Sequence, residues 1–202
     1  TVKDKESDTE LEIDNEYIMS PKDLKTIHLL DKVLDAGVTV LKIEGRGRSP
    51  EYVKTVTRCY SEAVSAYFNN EFTPENIERW DTELATVYNR GFWEGYYMGR
   101  KLGEWSQVHG SLATTKKIYV GMVANYFAKS GIAHVRMDSH EIANGDQIEI
   151  IGPTTGVYEA IVAGLVKNDQ PCEMAVKGEG PTFPVSRTVR RRDKVYKIVS
   201  LV

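Results

Sequence analysis

Three side chains with the chemistry of a binding or reactive site follow a short apolar run in the first half of the chain. Glu44, Arg46 and Arg48 lie in the stretch VTVLKIEGRGRSPEYV, interleaved with two glycines. An arginine can hold a carboxylate or phosphate through two parallel hydrogen bonds, and a neighbouring glutamate can orient the guanidinium or accept a proton. The pattern is equally compatible with an ion pair between Glu44 and Arg46 that only satisfies the end of a strand.

A second group of cationic side chains lies near the carboxyl end, in the stretch TVRRRDKVYK. Because alternate residues of a strand share a face, a strand here would point Arg190 and Arg192 together and Arg191 away. With Arg187 and Lys194 nearby, these side chains are candidates for contacts with the phosphates of RNA. A solvated sheet edge is the alternative interpretation.

The remaining reactive residue types show no catalytic or metal-binding spacing. The two cysteines, Cys59 and Cys172, lie far apart and neither belongs to a CxxC pair, so we interpret both as small apolar residues. The four histidines show no paired spacing, and the sequence contains neither GxSxG nor a glycine-rich phosphate loop. We therefore predict that this chain holds no metal site and no disulfide framework.

The elements that must position the first group are predicted in the order helix, strand, helix. The stretch SPKDLKTIHLLDKVLDAG has Ser20 as its N-cap and Gly37 as its stop signal. Val38–Ile43 is then typical of a strand buried on both faces of a parallel sheet. Ser49–Pro50 and Thr73–Pro74 each begin a further helix. One strand cannot form a sheet, so the other strands must come from elsewhere.

The pattern changes at Lys117 to short β-prone runs separated by glycine-rich turns, which predicts a small antiparallel β-barrel. We therefore expect two domains, an α/β part over residues 1–110 and a β-barrel over residues 111–202. Residues 1–110 carry 14 basic and 20 acidic side chains, a net charge of −6, whereas residues 111–202 carry 12 and 9, a net charge of +3. Opposite signs indicate different partners for the two parts.

The amino-acid composition indicates a globular protein. The chain has 202 residues, of which 41% are apolar and 27% charged, which is ordinary for a globular protein and excludes disordered and collagen-like classes. The sequence has no apolar run long enough for a transmembrane helix, and its amino terminus lacks the features of a signal peptide. We expect a cytoplasmic protein with no membrane partner.

Several motifs together resemble the motif region of peptidase family U32, the collagenase-like peptidases. The stretches YIMSPKDL, AGVTVLKIEGRGRSPEYV and CYSEAV are similar to a family pattern of approximately YIMNSKDL, AGV, KIEGRxKS and YRxAI. NRGFWEGYYMGR is similar to the arginine-glycine-aromatic segment that follows, so the resemblance covers residues 17–100. Arg48 stands where the family usually has lysine, which keeps the charge but not the hydrogen-bonding geometry.

The resemblance extends to the carboxyl-terminal part. GIAHVRMDSHEIANGDQIEIIGPTTG resembles the family's β-barrel, which is itself similar to the second domain of translation elongation factors. The implied fold is therefore the last β/α units of a TIM-like barrel, followed by a small antiparallel β-barrel. The family's upstream barrel strands and its cysteine cluster have no counterpart in these residues, so we expect this chain to be inactive alone.

The resemblance also implies functions and site residues. The first is RNA modification, specifically uridine 5-hydroxylation in tRNA, with prephenate and an iron–sulfur cluster as cosubstrate and cofactor of the full-length protein and no cofactor in this chain. The alternatives are a collagenase-like peptidase whose β-barrel recognises protein substrate and a protein-interaction module. The implied residues are Glu44 and Arg46 for catalysis, Lys42, Arg46 and Arg48 for anion or cosubstrate binding, and Arg187, Arg190, Arg192 and Lys194 for RNA binding.

Overall fold

The computed structural model describes residues 21–100, 103–106 and 110–201, together with the backbone of two short paired strands, β1 Val2–Lys3 and β2 Glu10–Leu11. The chain divides into two compact units. One comprises Thr1–Arg46 and Thr55–Ala113, and we call it the helical unit. The other comprises Gly47–Lys54 and Thr114–Val202, and we call it the β unit.

Two of the three described helices begin where local capping signals predict them. The three are α1 Leu30–Asp35, preceded by a 3-10 turn over Ile27–Leu29, α2 Pro50–Phe68 and α3 Pro74–Thr86. The Thr73 hydroxyl accepts a hydrogen bond from the Asn76 amide at 3.4 Å, which satisfies a donor that the first helical turn leaves unpaired. The predicted starts of α2 and α3 are confirmed.

The first helix is shorter than its sequence pattern predicts. Residues that follow Ser20 form strand β3 Asp23–Leu24, which pairs in parallel with β4 Phe92–Trp93. The Asp23 amide donates a hydrogen bond to the Gly91 carbonyl at 2.8 Å. Because this amide is used in the strand pair, it cannot also bond within a helix. The helix therefore starts only after this pair, while Gly37 still ends it at a positive φ of 84°.

The strand predicted over Val38–Ile43 is not formed, and this prediction is wrong for the chain as described. The backbone from 38 to 45 has no regular structure, and the Val40 side chain is 80% exposed. A strand exists only through hydrogen bonds to a neighbouring strand, and no described strand pairs with this segment. The segment therefore has the composition of a β-strand but no described neighbouring strand to pair with.

The β unit contains the strands β5 Thr115–Phe127, β6 Ile132–Met137, β7 Glu141–Ala143, β8 Gln147–Gly152, β9 Gly156–Ile161, β10 Val166–Lys167, β11 Gln170–Pro171, β12 Met174–Val176, β13 Thr182–Pro184 and β14 Lys194–Ser200. Eight of them form one antiparallel sheet in the order β11-β10-β13-β6-β5-β14-β8-β9, and β7 pairs with β12. The expected antiparallel β module is confirmed. The TIM-like barrel and the likeness to elongation factors remain expectations of the resemblance.

One apolar core holds the β unit together. Along β6, Ala133, Val135 and Met137 are buried at alternate positions, as a half-buried strand requires. Ile148 and Ile150 enter the same core from β8. Strands β5 and β6 approach closely at Gly121, where an added Cβ would lie 2.0 Å from the Arg136 carbonyl oxygen.

Among the described residues, no helix is long and apolar enough to span a membrane.

Candidate functional site

Glu44 and Arg46 are held by a local turn. An oxygen of the Glu44 carboxylate accepts a hydrogen bond from the Arg46 backbone amide at 2.7 Å, and Gly47 follows with a φ of 73°. Both side chains are exposed, as is Lys42. The carboxylate therefore organises backbone, which differs from the guanidinium contact considered from the sequence. The catalytic roles of Glu44 and Arg46 remain predictions.

Arg48 is placed differently from the other two anion-binding candidates. Its guanidinium lies over the Tyr52 ring, 5.0 Å from the ring centre. Arg48 belongs to the β unit, whereas Lys42 and Arg46 belong to the helical unit. Within the β unit, Arg48 lines a cleft together with Arg187, the first of the predicted RNA-binding residues. The structure thus brings together residues from two motifs that the sequence kept apart.

Arg190 and Arg192 lie in a turn, so their predicted alternation along a strand is wrong. The Asp193 amide donates to the Arg190 carbonyl at 3.1 Å, and Arg192 adopts a positive φ of 74°. Strand β14 begins only at Lys194. We call residues 190–193 the arginine turn. Arg190, Arg191 and Arg192 are all exposed on it.

Asp193 is the buried residue that fixes the arginine turn. One oxygen of its carboxylate accepts hydrogen bonds from the Arg190 amide, at 2.8 Å, and from the Thr155 hydroxyl. The side chain packs so closely on Gly152 that an added Cβ there would lie 1.8 Å from the other carboxylate oxygen. The loop after β8 and the arginine turn are therefore tied to each other through one carboxylate. The spacing of Arg190 and Asp193 resembles a capping pattern and could have indicated this bond.

A carboxylate cluster lies within the β unit, where β8 and β9 face the first turn of α2. Glu149 is 8% exposed, and one of its carboxylate oxygens has no hydrogen-bond partner. Burial, followed by repulsion from Glu51 and Glu159, raises the pKa of Glu149 to about 7 although Lys117 and Lys54 oppose the shift. The sequence offered no signal for this cluster, because its members come from three separate segments.

Cys59 is unsuited to act as a nucleophile. It is fully buried in α2, and its Sγ lies 3.6 Å from a carboxylate oxygen of Glu83. Burial and the charge of Glu83 raise the thiol pKa to about 12. A thiol with such a pKa stays protonated near neutral pH, so it carries little thiolate.

The described residues contain no group of three or more His, Cys, Asp or Glu side chains that could hold a metal ion. Cys59 and Cys172 are the two cysteines of the sequence, and both are free thiols. An iron–sulfur cluster held by four thiolates does not fit this chain's residues.

Comparison with known proteins identifies the family. The profile of peptidase family U32 matches residues 1–107. A protein named collagenase from Porphyromonas gingivalis is 55% identical over 197 residues, which cover 98% of this chain and 48% of that relative. The chain belongs to peptidase family U32. The resemblance predicted from the KIEGR region is therefore confirmed.

Other relatives of this chain carry a different name. The tRNA hydroxylation protein P1 of Bacillus subtilis is 34% identical to this U32 chain over 146 residues, covering 70% of the chain and 33% of that relative. The C-terminal domain of a U32 peptidase from Geobacillus thermoleovorans aligns with a TM-score of 0.37 and 22% identity, over 39% of this chain and 90% of the domain. The chain spans about half the length of the curated collagenases that it matches.

Proposed function

We propose that this chain is the carboxyl-terminal part of a U32 enzyme that hydroxylates tRNA, and that its β unit contacts the RNA. The observation that carries the RNA contact is the arginine turn. It presents Arg190, Arg191 and Arg192 on one short exposed loop whose backbone is fixed by the buried Asp193. The relative named tRNA hydroxylation protein P1 supports the substrate class.

The charges of the arginine turn are available for a partner. Within the described residues, the side chains of Arg187, Arg190, Arg191, Arg192 and Lys194 form no ion pair. By contrast, most other basic residues of the β unit, such as Lys167 with Glu179 at 2.7 Å, are paired. Cations that neutralise phosphates release bound counterions, which makes binding tight at low salt and steeply weaker as salt rises.

Titration of tRNA with the 202-residue chain over a range of salt concentrations tests this function. We expect a linear fall of log affinity with log salt, and a slope that becomes shallower by about 0.7 to 0.9 for each phosphate contact that is removed. The variants are Arg190→Ala and Arg192→Ala. Lys129→Ala is the control, because Lys129 is an exposed cation of the same unit on a different turn. Absent or salt-independent binding would overturn the RNA contact.

The catalytic part of the proposal concerns the longer protein. Glu44 and Arg46 then act in a site completed by residues that this chain lacks, with Arg46 binding an anionic cosubstrate or phosphate. The test is Arg46→Ala in the whole enzyme, assayed by the content of hydroxylated uridine in tRNA. Normal modification by that variant would refute the role of Arg46.

A peptidase is the second candidate, favoured by the 55% identity to the collagenase of Porphyromonas gingivalis. In that case the β unit recognises a protein substrate. Degradation of soluble collagen by the whole protein, compared with tRNA modification by the same preparation, separates the two functions.

A further inference from the structure

An open cleft of about 640 Å³ lies within the β unit and is lined by apolar side chains, which we call the apolar floor, and by cations, which we call the rim. Pro50, Val53 and Val157 supply apolar surface. The cations Arg48, Lys54 and Arg187 line the same cleft. Its residues come from three separate parts of the chain. Folding brings them together, so their spacing in the sequence does not predict the cleft.

We propose that this cleft binds one unpaired nucleotide of an RNA strand, with the base on the apolar floor and its phosphate between Arg48 and Arg187. This proposal rests on the RNA contact proposed above. It adds the place on the β unit where one nucleotide of the RNA binds. Sites for ligands of this size are concave, mostly apolar and furnished with a few polar groups that orient the ligand. The cleft has this composition.

The apolar floor favours a nucleotide over an isolated anion. Val53 is 40% exposed, although valine gains by leaving water. A base offers a flat apolar face that can cover such a surface, while a free phosphate has none. Bases inside a duplex are stacked and paired, so only an unpaired nucleotide can turn its face to the cleft.

The two rim arginines are suited to the phosphate. Arg48 lies over the Tyr52 ring, which holds its planar guanidinium in place before a ligand arrives and reduces the entropy lost on binding. Arg187 is exposed and forms no ion pair within the described residues. Lys54 is different, because its Nζ lies 2.8 Å from a carboxylate oxygen of Glu159. We therefore expect Lys54 to contribute less than either arginine.

The cleft is linked to the arginine turn by bonds already described. Thr155, which lines the cleft, donates its hydroxyl hydrogen to Asp193, and Asp193 accepts the amide of Arg190. One wall of the cleft and the arginine turn are thus parts of the same hydrogen-bonded structure. When one nucleotide of an RNA strand occupies the cleft, the arginine turn binds the phosphates of the neighbouring nucleotides.

Fluorescence anisotropy of labelled octauridylate with the 202-residue chain tests the cleft, beside the same oligomer made with abasic sugars. Arg187→Ala should weaken binding of both oligomers and lower the salt slope by about 0.7, the value for one phosphate of a single strand. Val53→Asn should weaken binding of octauridylate about three- to tenfold, without changing the salt slope, and leave the abasic oligomer unaffected. Val53→Ala should have a smaller effect in the same direction. It keeps the test valid if the asparagine variant does not fold.

The outcomes separate the cleft from the RNA contact. If the abasic oligomer binds as tightly as octauridylate, or if the Val53 variants weaken both equally, the cleft does not hold a base. If Arg190→Ala and Arg192→Ala weaken binding while Arg187→Ala and the Val53 variants do not, the arginine turn binds RNA and the cleft is refuted. If the unaltered chain binds neither oligomer nor tRNA, both proposals fail.

Discussion

The Nζ atom of Lys117 lies 2.5 Å from a carboxylate oxygen of Glu51, so strand β5 is fastened to the first turn of α2. Burial opposes ionisation of Glu51, but the hydrogen bonds from Lys117 and Ser49 outweigh it and lower the pKa of Glu51. Glu51 is therefore charged near neutral pH. This fixed charge lies beside Glu149, which the same packing has removed from water.

Replacing Glu149 with glutamine should stabilise the chain at high pH. The pKa of Glu149 is raised to about 7 by burial and by repulsion from Glu51 and Glu159, compared with an ordinary value of 4.5. The folded state thus binds more protons than the unfolded state between these values, and stability falls as pH rises through that window. Glu149→Gln should exceed the parent in free energy of unfolding by about 2 kcal/mol at pH 8, with the gain lost towards pH 4.

Urea unfolding between pH 4 and pH 8 measures this difference. Glu141→Gln is the control, because Glu141 is an exposed carboxylate of the same unit and its replacement removes no buried charge. A Glu149→Gln variant whose stability follows the parent across the whole range would show that the carboxylate does not carry the proposed repulsion.

Removing the carboxylate of Asp193 should destabilise the β unit. Asp193→Ala leaves the Thr155 hydroxyl and the Arg190 amide without their acceptor, and unsatisfied donors of this kind cost about 1 to 3 kcal/mol each. Thr155→Val removes one of the two donors. A double-mutant cycle of these two variants should give a coupling energy of about 1 kcal/mol or more. Strict additivity would contradict a direct bond between the two residues.

The N-cap of α3 should contribute measurably to stability. Thr73→Ala removes the acceptor of the Asn76 amide hydrogen and should lower the free energy of unfolding by about 1 kcal/mol. Thr82→Ala is the matched control, because Thr82 lies within the same helix, where alanine is the better helix former. Equal effects of the two substitutions would argue against the cap.

The thiol of Cys59 should be unreactive in the folded chain. Its pKa of about 12, caused by burial and the charge of Glu83, leaves almost no thiolate at pH 8. Titration with a thiol-specific reagent should therefore label Cys172, which is partly exposed, and label Cys59 only after denaturation. Rapid labelling of a folded Cys172→Ser variant would contradict the buried position of Cys59.

Local signals in the sequence predicted those features that local interactions determine. Ser49–Pro50 and Thr73–Pro74 predicted the starts of α2 and α3, because a cap and a proline act within one helical turn. Short β-prone runs separated by glycine-rich turns predicted the antiparallel strands, because a turn signal also acts within a few residues. The family resemblance around Lys42 to Arg48 was also sufficient to indicate membership of peptidase family U32.

Features that depend on distant residues were not predictable in this way. Val38–Ile43 has the composition of a strand, but a strand also needs a neighbour, which composition does not supply. The arginine turn itself has local bonds between Arg190 and Asp193, but its attachment to the loop after β8 depends on a bond between Asp193 and Thr155, 38 residues apart. The cleft depends on bringing Arg48 to Arg187. In each case a contact between remote segments decided the conformation.

The run from Val38 to Ile43, exposed over its first five residues, affects how the chain behaves in concentrated solution. Four of its six residues are β-branched, Lys42 carries its one charge, and no described strand occupies its backbone. Segments of this length, with high β-propensity and low net charge, are an aggregation hazard, because copies can stack in register into cross-β fibrils. Fibril growth of this chain should therefore begin at the very residues that precede the KIEGR motif.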